Sequence, residues 1–112
     1  MIFVTSFEPA GKGKCRVAFD NGIKCLLYRG EAARFSLKQE GSISEEQMNV
    51  ILHDIVYKRA AKRTMHLLEQ MDRSEKKLRE KLAVGEYPQC AIDYAIDYVK
   101  KYLNLQKIRY SD

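Results

Sequence analysis

From Ser44 to Met71 the chain runs without a glycine or a proline, and its apolar residues do not keep to one side. At the α-helical period, Met48, Ile51, Leu52 and Ile55 cluster on one face, while Val56, Ala60, Thr64, Leu67, Leu68 and Met71 cluster about 150° away. One straight helix buried on one side keeps a single stripe. The switch near Ile55-Val56 therefore predicts either a helix break or a helix that serves two packing partners in turn. In both cases residue 55 marks the joint between two modules, an organisation that 112 residues allow only if each is small. The start of the helical run is set by Ser44 and Gln47 at capping-box spacing, with Glu45 and Glu46 favourable at the positive end of the helix dipole.

Upstream the period changes. Ile2 to Phe7 is β-branched and aromatic, Gly11-Lys12-Gly13 interrupts it, and Cys15-Val17-Phe19 alternates with Arg16-Ala18. Asn21-Gly22 reads as a two-residue hairpin turn leading into Ile23 to Tyr28. In that register Ala18 opposes Cys25 and Cys15 opposes Tyr28, placing Cys15 and Cys25 on opposite faces; a bulged three-residue turn reverses this parity. Gly30 ends the third strand, Glu31 to Leu37 forms a short helical turn, and Lys38 to Ser42 is a polar connection. Three cysteines without a CxxC pair point to reduced thiols.

Downstream, Ser74 caps a short helix through Ala83 with Leu78 and Leu82 inward, and Gly85 stops it. Pro88 opens a third helix whose apolar face is Ala91, Ile92, Ala95, Ile96, Val99, Tyr102 and Leu103. Four tyrosines, Tyr87, Tyr94, Tyr98 and Tyr102, pad the core edge of this helix. The fold class is thus α+β: a three-stranded antiparallel meander over residues 1–43, a connecting helical segment over 44–55, and a three-helix repeat over 56–104. Residues 105–112 begin a further helix.

No catalytic constellation emerges. Gly11-Lys12-Gly13 is too short for a phosphate loop, His53 and His66 are too far apart for a helical metal pair, and no cofactor motif is present. Asp93 and Asp97 share a helical face and are the one acid pair a hydrolase reading has, but Lys100 and Lys101 beside them favour solvated ion pairs. A non-enzymatic role is expected. No apolar run reaches the roughly 20 residues of a membrane span, and Met1 to Glu8 lacks the character of a signal peptide, so a cytosolic protein is expected.

Charge is the chain's one concentrated chemical signal. The formal net charge is +5. Residues 57–81 hold nine cations against Glu69, Asp72, Glu75 and Glu80, which accounts for all of it. Lys58, Arg59, Lys62 and Arg63 occupy one helix side, opposite Ala60, Thr64 and Leu67, and Arg73, Lys76, Lys77, Arg79 and Lys81 follow. An acidic protein partner or nucleic-acid phosphate fits this surface.

The stretch Arg73-Ser74-Glu75-Lys76-Lys77-Leu78-Arg79-Glu80-Lys81-Leu82 resembles the first helical repeat of the RecX family, bacterial regulators of the recombinase RecA. Ala60-Ala61-Lys62-Arg63 with Leu67-Leu68, Tyr87-Pro88, and Ala95-Ile96-Asp97-Tyr98-Val99-Lys100-Lys101-Tyr102 extend the resemblance. Leu105 with Arg109-Tyr110 is similar to the start of the family's second repeat, and the Asn21-Gly22 hairpin with Ser44-Glu45-Glu46 to its β-rich leader. The resemblance implies tandem three-helix repeats, lodging in the groove of the RecA filament on DNA, and inhibition of strand exchange and ATP hydrolysis without enzymatic activity. It also implies about two further repeats, so that the chain reads as a truncated form. Two positions depart from the family pattern: Gly85 stands one residue earlier than the usual glycine-aromatic-proline, and Gln106-Lys107 replaces an acidic pair. The partner-binding set expected from charge is Lys58, Arg59, Lys62, Arg63, Arg73, Lys76, Lys77 and Arg79, with RecA the partner and DNA phosphate a further contact. A direct DNA-binding module of winged helix-turn-helix type is the alternative, weakened by the absence of a base-reading stripe between Ser74 and Ala83.

Overall fold

In the computed structural model the described residues are 1–70, 73–102 and 108–109. Contacts divide the chain into two units, Met1–Ile51 and Leu52–Asp112, each α and β in kind.

The first unit is a curled antiparallel sheet with short helices. Strands β1 (Ile2–Pro9), β2 (Lys14–Phe19) and β3 (Lys24–Tyr28) form the expected meander, and helix α1 (Arg29–Arg34) follows at once. Gly30 therefore lies inside a helix instead of ending a strand. A fourth strand, β4 (Ser42–Ile43), joins β1 on its outer side, giving the order β3-β2-β1-β4. The expected polar connection over Lys38 to Ser42 thus ends as sheet.

The hairpin register differs from the two-residue expectation by one position. Val17 pairs with Cys25 and Cys15 with Leu27, while Phe19 N–H donates to the Ile23 carbonyl at 2.9 Å. The loop is Asp20-Asn21-Gly22, a three-residue turn in which Gly22 takes φ +90 and its N–H reaches the Phe19 carbonyl. The extra residue reverses parity, so Cys15 and Cys25 share the inner face and are both buried. All three cysteines are thiols. Val4, Cys15, Val17, Phe19, Cys25 and Leu27 are buried in this unit, as are Ala32, Phe35, Leu37 and Ile43.

The outer edge of β1 is closed by an unusual partner. Beyond the two residues paired with β4, Val4 N–H donates to the Gly41 carbonyl and Glu40 N–H to the Val4 carbonyl. The Gln39 side chain continues the ladder: its amide donates to Thr5 C=O at 3.0 Å and accepts from Phe7 N–H at 2.9 Å. One side chain stands in for a strand and blunts an edge open to other chains. Gln39→Ala is expected to lower stability by about 1 kcal/mol, from two exposed hydrogen bonds at the low end of their usual worth, and to raise the aggregation rate on heating. Thermal unfolding with light scattering measures both; an unchanged melting temperature shows that water replaces the amide without loss.

Helix α2 (Glu45–Val50) begins as its sequence dictates, with Ser44 Oγ accepting from Gln47 N–H and the Gln47 side chain accepting from Ser44 N–H. The next residues, Ile51–Val56, are π-helical, and α3 (Tyr57–Gln70) follows. A π-turn bonds i to i+5 and winds each residue through a smaller angle than an α-turn. That re-aims the stripe where the sequence changes face, and Ile51, Leu52, Ile55, Val56, Ala60 and Thr64 are all buried.

The second unit is a three-helix bundle of α3, α4 (Glu75–Val84) and α5 (Gln89–Tyr102), each in contact with the other two. Its core joins Ala60, Thr64, Leu67 and Leu68 to Leu78 and Leu82 and to Ala91, Ile92, Ala95, Ile96 and Val99. The buried Thr64 hydroxyl is satisfied by donating to the Ala60 carbonyl at 2.8 Å. Ser74 caps α4 by accepting from Lys77 N–H. At its other end the left-handed residue is Glu86 at φ +64, not Gly85, whose φ is −76. Gly85 serves space instead: a Cβ there would meet the Tyr87 ring at 3.1 Å. Pro88 precedes the first helical residue of α5, its carbonyl accepting from Ala91 and Ile92.

The chain end, expected to begin a further helix, has a short strand β6 (Ile108–Arg109) parallel to β5 (Arg73–Ser74). The expectations on Met71, Leu103, Leu105, Gln106-Lys107 and Tyr110, and on the side chain of Tyr102, lie outside what is described. Among those described, no helix is long and apolar enough to cross a membrane.

Candidate functional site

Helix α3 carries its cations where the spacing puts them. Ala60, Ala61, Thr64, Leu67 and Leu68 face inward, leaving Lys58, Lys62 and Arg63 exposed and Arg59 half-buried. Helix α4 buries only Leu78 and Leu82, so Lys76, Lys77 and Lys81 are exposed. Arg73 lies in β5, and its side chain falls outside the described ones.

Arg79 is held by carboxylates of α4 and α5. Its Nη1 donates to Asp93 Oδ1 at 2.7 Å and its Nε to Glu75 Oε2 at 3.1 Å. The other Glu75 oxygen receives the Lys100 ammonium, and Gln89 donates to Asp93 Oδ1 at 3.0 Å. Two carboxylates and two cations thus clasp α4 to α5, and Arg79 is spent within the fold. The Asp93 that a hydrolase reading needs is held here as a counter-ion, and Lys100 bridges to α4.

The clasp moves the proton affinities of its members. The Lys100 ammonium, more than the Arg79 guanidinium, holds the Glu75 carboxyl below the usual carboxylate range against the opposing effect of burial. Arg79, helped by Gln89, does the same for Asp93, and Arg79 is in turn raised, chiefly by Asp93. Both carboxyls are lowered on folding. Their contribution is therefore complete above the unfolded-state values near about 4 and is lost as pH falls through the folded ones. Melting temperatures measured from pH 7 down to pH 3 are expected to fall below about pH 4, less steeply for Arg79→Met, which keeps only the Lys100–Glu75 pair of the clasp. Parallel curves for the two chains would show that the ion pairs contribute nothing.

The sequence did not disclose an aromatic ladder across α3 and α5. His53 meets Tyr57 edge-on with centroids 4.8 Å apart, Tyr57 stacks on Tyr94 at 4.8 Å and 17°, and Tyr94 continues to Tyr98 at 6.2 Å. Tyr94 is 38% exposed, while Tyr57 and Tyr98 are half-buried. Burial, with the neighbouring Cys90 thiol and Asp93, pushes the Tyr57 phenol up to about 12. The only sequence signal was tyrosine at i, i+4 on α5; nothing local links it to Tyr57. Among the described residues no group of three or more His, Cys, Asp or Glu is arranged to hold a metal ion.

Comparison with known proteins bears on the helical unit first. Residues 60–98 match the family described as RecX, first three-helix domain. Regulatory protein RecX from Clostridioides difficile (strain 630) is 32% identical over 104 residues, covering 91% of this chain and 49% of that protein. Regulatory protein RecX from Clostridium beijerinckii (strain ATCC 51743 / NCIMB 8052) is 31% identical over 104 residues, with the same coverage. The chain spans about half the length of these curated relatives. A solved structure of regulatory protein RecX aligns over 96% of this chain and 52% of that one, with TM-score 0.46 and 17% identity.

Proposed function

The chain belongs to the RecX family, and from that premise we propose that it is a non-enzymatic cytoplasmic regulator that binds the RecA filament on DNA and lowers its activity. Its relatives are named regulatory proteins, which supports a regulatory role in the context of RecA. One observation carries the assignment of the contact surface. Of the three helices that the family match covers, α3 and α4 turn Lys62, Arg63, Lys76 and Lys77 to solvent, while Ala60, Ala61, Leu67, Leu68, Leu78 and Leu82 are buried in the bundle. A solvent-facing set of cations suits a filament that presents acidic side chains and DNA phosphate. Lys58 and Arg59 extend the set on α3, whereas Arg79 positions α4 and makes no direct contact with the partner.

The test is DNA-dependent ATP hydrolysis by RecA with and without the chain, beside binding to bare duplex across a salt series. Slower hydrolysis that recovers with added salt is the expected result. Tight, steeply salt-dependent binding to naked duplex with no effect on RecA sinks the reading and favours a DNA-binding module.

A further inference from the structure

The observed hairpin register sorts the first unit's sheet into two chemically distinct faces. Pairs Val17–Cys25 and Cys15–Leu27 point inward and are buried. The alternate pairs, Lys14–Tyr28, Arg16–Leu26 and Ala18–Lys24, share the other face, where only Ala18 among these six is buried, and Glu8 joins them beside Arg16. This outer face holds three cations and one carboxylate, with Glu8 paired to Arg16 at 3.3 Å. It also holds an aromatic ring: Tyr28 is 47% exposed, and the Lys14 ammonium lies 5.7 Å from its centroid. At one end the loop between β1 and β2 carries exposed Lys12 between Gly11 and Gly13, and a Cβ at either glycine would meet nothing within 4 Å.

We propose that this outer sheet face binds single-stranded DNA, with a base stacked on Tyr28 and the flanking phosphates drawn to Lys14, Arg16 and Lys24. Strand faces that pair an exposed ring with cations are general stacking platforms for unpaired bases. The ring selects a single strand over a duplex, because only an unstacked base offers it a free face. With Glu8 engaged by Arg16, phosphate is the counter-charge that suits Lys14 and Lys24. Outward positions two apart on a strand are about 6.8 Å apart, so the cations track an extended backbone and do not converge on one anion. The inference is separate from the helical surface: it uses no residue of α3 or α4, and it stands or falls without RecA.

The experiment is fluorescence anisotropy of a labelled oligothymidine with the full chain. Because helical cations also attract phosphate, each variant is also measured in a Lys58→Ala/Lys62→Ala/Arg63→Ala background. Tyr28→Ala is expected to weaken binding about tenfold in both backgrounds, and Tyr28→Phe to retain it. Lys14→Ala with Lys24→Ala is expected to reduce the slope of log K against log salt by about 1.4, at about 0.7 per lost contact to a single strand. Circular dichroism checks that each variant keeps its fold. Wild-type affinity for Tyr28→Ala overturns the proposal. So does displacement of the oligonucleotide by polyglutamate at equal charge concentration, which marks the face as a site for acidic protein instead.

Discussion

Leu82→Ala is expected to destabilise the helical unit by about 3 kcal/mol, within the usual range for deleting a buried leucine side chain. Leu82 and Leu78 are each 0% exposed, and they are the buried side chains of α4. A ten-residue helix is too short to persist on its own in water. What holds α4 is its N-cap at Ser74, the clasp to α5, and these two leucines. The first two contribute about 1 kcal/mol apiece, so packing must supply most of the docking. Removing one leucine leaves a cavity against α3 and α5, whose small buried residues Ala60, Ala91 and Ala95 offer little side chain to refill it. Urea unfolding followed by circular dichroism reads the loss. Val84→Ala is the control, since Val84 is 82% exposed on the same helix and its truncation is expected to fall within about 0.5 kcal/mol of wild type. A loss below about 1 kcal/mol for Leu82→Ala would mean that α4 is not docked through this core.

How far the fold was legible depended on the range of the interaction that decides each element. Ser44 with Gln47 and Ser74 with Lys77 N–H are contacts three residues apart, and spacing alone located both caps. The face change near Ile55-Val56 was legible as a conflict, but its resolution by a π-helical stretch was not, because the apolar spacing fits a break equally well. In the hairpin, Asn-Gly has a strong preference for a two-residue turn. Here Asp20 is drawn into the loop, with Phe3 N–H donating to its carboxylate from β1 at 3.2 Å, a tertiary contact that no local rule registers. Strand β4 is two residues long, and its recruitment depends on β1, some forty positions earlier. A β-period signal needs more residues than that.

The same distinction divides the candidate site. Clustering of like charge is a one-dimensional property, so the cations of α3 and α4 could be found without a structure. Whether a given cation is available is three-dimensional. Arg79 has a local partner in Glu75 at i−4, which the sequence shows, but Asp93 and Lys100 come from another helix. Its ion pairs tie Arg79 to the bundle, a restraint that leaves Lys76 and Lys77 unaffected.

Replacing Lys58, Arg59, Lys62 and Arg63 together with alanine is expected to weaken RecA-filament binding by 30-fold or more while the helical spectrum stays intact. Four charge contacts, three of them from exposed side chains and one from the half-buried Arg59, at about 0.5–1 kcal/mol each total about 2–4 kcal/mol, or roughly 30- to 1,000-fold in affinity. The spectrum should hold because alanine has the higher helix propensity and because the buried stripe of Ala60, Thr64 and Leu67 is untouched. Salt sharpens the measurement: the screening length falls to about 10 Å at 0.1 M, so the gap between variant and wild type should narrow as salt rises. Arg79→Ala supplies the opposite pattern. It opens the clasp, costs about 1 kcal/mol of stability, and affects binding only through the fraction of chain unfolded. If the fourfold variant instead loses its helical spectrum, those side chains support the bundle and the contact surface lies elsewhere. If it keeps both spectrum and affinity, the cations of α3 are a solvated helix face, and the filament contact must be sought elsewhere, first at Lys76 and Lys77 on α4.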